Sequence, residues 1–286
     1  NWGLSKRGGP KMSEAQEITK IETAIKEHAS SLLSEGVECL IGYDKDGPCF
    51  IDDLNEVDKL VWNNHCIHNL TRYLLDFEGR VGIIVKGCDS LSLVELIKHN
   101  QVDRDRVFII GISCSGMLNE KQEKYEKCKN CSHPSPVIYD VLLGEKPVPR
   151  EEDYSDVIEL ESLPHDERFS FWERMFSKCI KCFACRNICP VCFCKECLID
   201  RREPKWSSKF VSRSEILTYH MTRAFHVADM CTACGECERA CPMKIPLLKL
   251  YKKLRKDVKE LFGYEAGLDL EETPPLISFK EDDPEP

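Results

Sequence analysis

Two stretches of the sequence repeat one cysteine pattern, and the rest of the chain is interpreted around them. The first is Cys179-Ile-Lys-Cys182-Phe-Ala-Cys185-Arg-Asn-Ile-Cys189-Pro190, and the second is Cys231-Thr-Ala-Cys234-Gly-Glu-Cys237-Glu-Arg-Ala-Cys241-Pro242. Each reads C-x2-C-x2-C-x3-C-P, the spacing that ligates a [4Fe–4S] cluster. One copy would also fit a zinc site, whereas two copies that both end in Cys-Pro indicate a pair of clusters.

The repeat also predicts which cysteines share a cluster. In paired sites of this kind, the fourth cysteine of each motif ligates the other cluster. Two exchanged ligand sets follow: Cys179, Cys182, Cys185 and Cys241 for the first cluster, and Cys231, Cys234, Cys237 and Cys189 for the second. Zinc binding and a disulfide framework are the alternatives.

The composition limits the class of protein. The chain has 286 residues, 18 cysteines and a formal net charge of −9. The first residues show no apolar signal-peptide run, so we expect a cytoplasmic protein whose thiols bind metal. The longest apolar runs, such as Val81–Val85 and Val107–Ile112, fall short of the ~20 residues that a membrane helix needs. The acidic charge argues against nucleic-acid binding.

The pattern of the chain predicts an α/β N-terminal domain with a short parallel βαβ core, followed by an α-helical dicluster ferredoxin domain. Residues 1–11 precede Met12 and are interpreted as a tag or upstream sequence. The remaining divisions are the α/β domain at 12–146, a linker at 147–167, the helical dicluster domain at 168–265 and an extended acidic tail at 266–286.

Local signals place several elements in the α/β domain. Ser13 and Gln16 fit a capping box for a first helix that stops at Gly36. Residues 39–43 and 48–51 flank a turn that ends in Gly47, which predicts a hairpin. Residues 70–77 predict a further helix.

A third metal site is predicted in the βαβ unit. Val81–Val85 and residues 107–113 are buried-strand patterns, with a helix predicted over residues 91–99 between them. Because parallel strands place ligands beyond their carboxyl ends, Cys88 and Cys114 are expected to lie close together, with the loop of Cys128 and Cys131 folding over them. A third [4Fe–4S] cluster is favoured, and zinc or inert thiols are the alternatives.

Three cysteines follow the first motif closely: Cys192, Cys194 and Cys197. They form a further metal site if a fourth ligand comes from the set Cys39, Cys49, Cys66 and His65. The competing interpretation is that they are free thiols that shield the first cluster. We expect Cys39 and Cys49, which face each other across the hairpin, to pack as small apolar residues.

The second half is predicted to be helical. A short aromatic helix is expected over residues 169–177, and Ser212 or Ser214 caps a spacer helix between the two motifs. A last helix runs from Pro246 to Gly263. Its basic face is either solvated or a docking patch: Lys249, Lys252, Lys253, Arg255, Lys256 and Lys259.

These residues resemble two related groups of proteins. Gly87-Cys88 and Gly111-Ile-Ser-Cys114 resemble the beta subunit family of coenzyme F420-dependent hydrogenases and dehydrogenases, which includes formate dehydrogenase beta subunits. Residues 179–197 and 231–246 resemble the dicluster subunits of heterodisulfide reductase-linked complexes. The resemblance implies a cytoplasmic subunit that carries electrons. Family members bind FAD or F420, but no flavin-binding motif maps onto this chain.

The sequence thus favours an electron-transfer subunit of a larger oxidoreductase. It would relay electrons between a catalytic subunit of hydrogenase or formate dehydrogenase type and a flavin or heterodisulfide reductase-like subunit. No catalytic residues are assigned, and the expected partners are other redox subunits rather than nucleic acid or a membrane. One alternative is an oxidoreductase with its own flavin or F420 site, and another is a zinc-binding scaffold.

Overall fold

A computed structural model describes residues 14–208 and 210–278. Residues 1–11, Ser13 and Phe279 lie outside this part of the chain. The α-helices are α1 Glu14–Ser34, α2 Gly87–Lys98, α3 Glu126–Lys129, α4 Ser155–Glu161, α5 His165–Phe176, α6 Ala184–Asn187, α7 Arg213–His226, α8 Glu236–Arg239 and α9 Leu247–Phe262. The strands are β1 Cys39–Asp44, β2 Gly47–Ile51, β3 Val81–Val85, β4 Val107–Ile112 and β5 Val141–Leu143.

The strands form one mixed sheet in the order β2-β1-β3-β4-β5. Among the strands of the described residues, only β2 is antiparallel to its neighbour, as the hairpin prediction required. The turn is stabilised by the Asp44 carboxylate, which accepts N–H groups of Asp46 and Gly47 at 2.8 and 3.0 Å. Strands β3 and β4 are parallel, with Val81 opposite Val107. The predicted βαβ unit is therefore present.

Helix α2 begins earlier than predicted, at Gly87 instead of residue 91. The Asp89 carboxylate accepts the backbone N–H of Lys86 at 3.1 Å and pairs with its ammonium group at 2.8 Å, which caps the first turn. Cys88 consequently lies inside the first turn of the helix. Residues 70–77 also differ, because Leu70–Asp76 is a 3-10 helix.

The predicted linker contains structure of its own. Helix α4 lies within it, and α5 begins at His165, before the linker was expected to end. Helix α4 packs against α9. Basic side chains of α9 pair with acidic side chains of the predicted linker. Arg255 is buried against Glu152 at 2.7 Å, Lys252 pairs with Asp156 at 2.5 Å and Lys256 pairs with Glu161 at 3.1 Å. This part of the basic face is therefore an internal contact, contrary to both interpretations of it.

The two cysteine motifs share one backbone path. Each contains a one-turn helix, α6 or α8, preceded by a residue with left-handed backbone, Phe183 (φ 60°) or Gly235 (φ 73°). Helix α7 is capped as predicted, because Ser212 Oγ accepts the N–H of Glu215 at 3.3 Å. Phe225 of the same helix is 67% exposed, since it lies on the side opposite Ile216 and His220.

The two halves are joined by buried hydrogen bonds. Ser92 on α2 lies 2.9 Å from the hydroxyl of Thr232 in the second motif. The Glu95 carboxylate accepts the hydroxyl of Tyr264 at 2.9 Å and the N–H of Gly267 at 2.7 Å. The start of the tail is also attached, because the N–H of Leu276 donates to Asp229 at 3.0 Å.

Candidate metal centres

The first predicted ligand set surrounds one cavity, hereafter the first cavity. Its lining includes Cys179, Cys182, Cys185 and Cys241, together with apolar and aromatic side chains: Ile180, Phe183, Tyr219, Met243, Ile245 and Leu247. The hydroxyl of Tyr219 lies 3.2 Å from Cys185 Sγ. Cys185 is buried, whereas Cys182 is exposed. One edge of this cavity therefore reaches the protein surface.

The second ligand set lines a separate cavity, the second cavity. Its lining includes Cys189, Cys231, Cys234 and Cys237, with Val191, Arg223, Val227 and Tyr251 around them. The exchange of the fourth cysteine thus has a simple origin. Helix α6 carries Cys185 toward the first cavity and ends just before Cys189, while α8 carries Cys237 and ends just before Cys241. Assignment of these sets as cluster ligands stays a prediction.

Backbone N–H groups are directed at the sulfur atoms in both motifs. The N–H of Lys181 donates to Cys179 Sγ at 3.4 Å, and the equivalent N–H of Ala233 donates to Cys231. Lys181 and Ala233 share the same left-handed φ of 52°. Glu236 donates in the same way to Cys234. Such donors stabilise negative charge on sulfur, as cluster ligation requires.

Two buried side chains of α7 have nitrogen atoms without a partner in the described part of the chain, and both line a cavity. His220 lines the first cavity, and neither ring nitrogen has a hydrogen-bond partner. Arg223 lines the second cavity with an unpartnered Nε, although its Nη2 donates to the Cys185 carbonyl at 3.0 Å. Leaving a buried donor unpaired costs about 1–3 kcal/mol. An acceptor within each cavity, such as the sulfur of a cluster, would satisfy these donors.

The four cysteines of the predicted third site also lie together. Cys88, Cys114, Cys128 and Cys131 line a cavity of about 790 Å³, hereafter the large cavity. The loop folds back because the N–H of Cys114 donates to the Pro134 carbonyl at 2.8 Å. Gly87 permits this approach, since a Cβ there would lie 1.8 Å from the His133 carbonyl oxygen.

The thiols of these sites are in a low-dielectric environment. Burial raises the pKa of Cys114 to about 11 and that of Cys231 also to about 11. Burial likewise raises the pKa of Cys234, to about 12. Without a counter-charge these thiols are neutral at pH 7, so binding a metal centre would release protons from them.

Buried cations accompany the cysteines. Lys127 donates to the Cys234 carbonyl at 2.7 Å and pairs with the fully buried Glu236 at 3.4 Å. Arg255 donates to the Cys231 carbonyl at 3.1 Å. With Arg223, these groups place positive charge around the second cavity, where a cluster with four thiolates would be anionic.

The three cavities lie in a row. Thr232, Ala233 and Leu248 line both the second cavity and the large cavity. Arg223 connects the first and second cavities, since it lines the second cavity and donates a hydrogen bond to the carbonyl of Cys185, which lines the first. The second cavity is therefore in the middle of the row.

The remaining cysteines have different surroundings. Cys192 donates a hydrogen bond to Cys189, Cys197 interacts with Arg186, and Cys194 is exposed. The suggested fourth ligands Cys39, Cys49 and Cys66 belong to the core around the sheet. A further metal site at Cys192, Cys194 and Cys197 stays a prediction.

The described cysteines do not form a site for a single metal ion. Within residues 14–208 and 210–278, no three Cys, His, Asp or Glu side chains are close enough together to hold one metal ion. The ligands of a cubane are not expected to meet this description, because each thiolate binds a different iron.

Sequence reasoning missed the charged and polar partners of these sites. Arg223 carried a signal, because it interrupts an apolar helix face between His220 and Val227. Lys127 and Glu236 carried none, since each reads as an ordinary surface charge beside a cysteine. Their roles depend on contacts between distant parts of the chain.

Comparison with known proteins agrees with the two motifs. Residues 175–245 match the model of the 4Fe-4S dicluster domain family. A subunit beta of F420-dependent formate dehydrogenase from Methanocaldococcus jannaschii is 24% identical over 334 positions, covering 82% of this chain and 86% of the relative. The subunit beta of F420-dependent formate dehydrogenase 1 from Methanococcus maripaludis is 23% identical, covering 80% and 84%.

Both alignments, of 334 and 339 positions, are longer than this chain of 286 residues, so they include segments of the relatives that have no counterpart here. None of the helices in the described residues is long and apolar enough to cross a membrane. The resemblance noted in the sequence is confirmed: this chain is an iron–sulfur protein with a 4Fe–4S dicluster domain, related to the beta subunits of F420-dependent formate dehydrogenases.

Proposed function

We propose that this protein is the electron-relay subunit of a cytoplasmic oxidoreductase complex and that it holds three [4Fe–4S] clusters. The observation that carries the proposal is the row of three thiol-lined cavities, with Thr232 and Ala233 between the second and the large cavity. Such clusters exchange single electrons, with potentials set by charge, hydrogen bonding and exposure.

The protein's own residues have three tasks in this relay. The cysteine sets hold the clusters, and the N–H groups of residues such as Lys181 and Ala233 stabilise charge on sulfur. Apolar side chains, including Val191 and Ile245, exclude water from the cavities. Lys127, Arg223 and Arg255 offset the added negative charge of reduction.

The partners are proposed from the relatives. Two of them are named as beta subunits of F420-dependent formate dehydrogenases, so the donor or acceptor here would be another redox subunit. Such a subunit would be of hydrogenase or formate dehydrogenase type at one end, and a flavin or heterodisulfide reductase-like subunit at the other. Affinity purification from the native host, with identification of the co-purifying subunits, tests this assignment.

The clusters themselves are tested on the chain alone. Protein purified and reconstituted without oxygen should contain about twelve irons and twelve sulfides, since each cubane has four of each. A Cys114→Ser variant should lower both counts to about eight, whereas Cys49→Ser, at a core cysteine, should leave them unchanged. Zinc without sulfide would instead support the scaffold alternative.

A second function is favoured by the large cavity. Its volume of about 790 Å³ is within the range of roughly 300–1,000 Å³ typical of organic-cofactor sites. An oxidoreductase with its own flavin or F420 would place that cofactor beside Cys88 and Cys114. Flavin extracted in stoichiometric amount from the intact complex, and traced to this chain, would favour that function. Turnover by the isolated chain would establish it.

A further inference from the structure

The surface around Cys182 differs from the rest of the first cavity. Cys182 is exposed, and two cavity-lining neighbours, Ile180 and Met243, are 52% and 37% exposed. Cys182 is thus the ligand through which a cluster in the first cavity would come nearest to solvent. We give the name Cys182 surface to Cys182, Ile180 and Met243 together with these exposed residues nearby in the sequence: Lys178, Lys205, Trp206, Phe210, Val211 and Lys244.

A second segment extends this surface. The buried ammonium group of Lys181 donates to the carbonyls of Ser208 at 2.8 Å and Phe210 at 3.4 Å, which holds that segment against the first motif. It exposes large apolar side chains: Trp206 at 61%, Phe210 at 78% and Val211 at 60%. Exposed apolar groups clustered in this way mark interaction sites.

The charge of this region is opposite to that of the chain. Residues 178–205 contain seven Lys or Arg and three Asp or Glu, whereas the whole chain has a net charge of −9. Lys178, Lys205 and Lys244 are exposed, and each lies within two residues of an exposed apolar side chain: Ile180, Trp206 and Met243. A basic and apolar surface on an acidic protein is complementary to an acidic partner.

We propose that the Cys182 surface docks an acidic redox protein, with Phe210 and Ile180 as apolar anchors and the surrounding lysines steering the encounter. This inference rests on the proposed relay and names its outer end. A protein partner is favoured over an anionic membrane because the exposed cluster ligand lies within the same surface. A large cavity on one end and an exposed thiol on the other would then give the relay two distinct termini.

Stopped-flow electron exchange with a small acidic bacterial ferredoxin tests the proposal on the reconstituted full chain. The Lys178→Glu/Lys205→Glu variant should exchange electrons about tenfold more slowly at low salt, and its rate should depend less on salt. Phe210→Ser should slow exchange at all salt concentrations. The matched control, Lys20→Glu/Lys121→Glu, alters two exposed lysines of the α/β domain and should exchange at the wild-type rate.

Several results would overturn the proposal. Equal rates in wild type and the Lys178→Glu/Lys205→Glu variant would do so, as would a wild-type protein that carries its clusters but exchanges no electrons with the ferredoxin. Binding to anionic phosphatidylserine vesicles that is lost in the variant, with unchanged exchange, would assign the surface to a membrane instead. Iron content and electron paramagnetic resonance (EPR) spectra separate these results from failure of the relay itself, which would appear as missing clusters.

Discussion

Lys127 donates a hydrogen bond to the backbone carbonyl of Cys234 at 2.7 Å, although the two residues are 107 positions apart. Lys127 precedes Cys128 of the large cavity, and Cys234 lines the second cavity. The same ammonium group pairs with Glu236, which is fully buried. One side chain therefore joins the loop of the large cavity to the second motif and places a buried positive charge beside both predicted sites.

Removal of that charge should lower the reduction potentials nearby. In Lys127→Met, the added electron loses a buried counter-charge. At an effective dielectric constant of ~20, this corresponds to a decrease of roughly 50–100 mV in the second cluster. Redox titration followed by EPR would measure it. Lys129→Met, at an exposed lysine two residues away, is the control. Equal potentials in both variants would show that the buried charge of Lys127 does not raise the potential of the second cluster.

His220 should affect the first cluster alone. His220→Leu removes a ring N–H that lines the first cavity, and a lost donor to sulfur destabilises the reduced form. We expect the potential of the first cluster to decrease by roughly 40–90 mV, equivalent to about 1–2 kcal/mol. His220→Gln, which keeps a donor, should recover part of the decrease. A change confined to the second cluster would be inconsistent with this placement.

Gly87 should be required for the third site. In Gly87→Val, the new side chain meets the His133 carbonyl and pushes the loop of Cys131 away from Cys88. Iron should decrease from about twelve to about eight per chain, with the dicluster signals intact. Gly36→Asn is the control, because a Cβ there has no neighbour within 4 Å and asparagine tolerates the left-handed backbone (φ 83°) of this position. Full iron content in Gly87→Val would disprove the requirement.

Arg255 should matter for stability. It is 3% exposed, pairs with Glu152 and donates to the carbonyls of Cys231 and Ala266. Arg255→Met leaves the Glu152 carboxylate, itself little exposed, without its partner, which should lower the free energy of unfolding by about 3–5 kcal/mol. Anaerobic urea unfolding would measure this. Lys259→Met, at a more exposed position of the same helix, should cost less than 1 kcal/mol by comparison with typical surface pairs.

The sequence predicted what depends on local spacing. The two ligand sets follow from the C-x2-C-x2-C-x3-C-P pattern, and the structure brings each set around its own cavity. The parallel pairing of β3 and β4 followed from their apolar runs. Cys88 and Cys114 line one cavity, because both follow the carboxyl ends of these strands; their role as ligands stays a prediction.

Contacts between distant segments could not be predicted from the sequence. Helix α4 and the burial of Arg255 were missed because the acidic stretch and the basic helix face each resemble solvated surface when considered separately. They neutralise each other only once α4 packs on α9. Strand β5 has three residues, too few to give a periodic signal.

The fourth cysteine of each motif lines the cavity of the other motif. Cys241→Ser should alter the EPR signal of the first cluster, and Cys189→Ser that of the second, although each lies in the motif of the other. If Cys241→Ser altered the second cluster and Cys189→Ser the first, each motif would instead hold all four ligands of its own cluster.

The cavities predict a row of three [4Fe–4S] clusters in this chain. Iron and acid-labile sulfide analysis of protein purified without oxygen, combined with EPR-monitored redox titration, measures the number and the coupling of these clusters. We expect about twelve irons and twelve sulfides per chain and three one-electron transitions with magnetically coupled neighbours. Stoichiometric zinc without labile sulfide would contradict it.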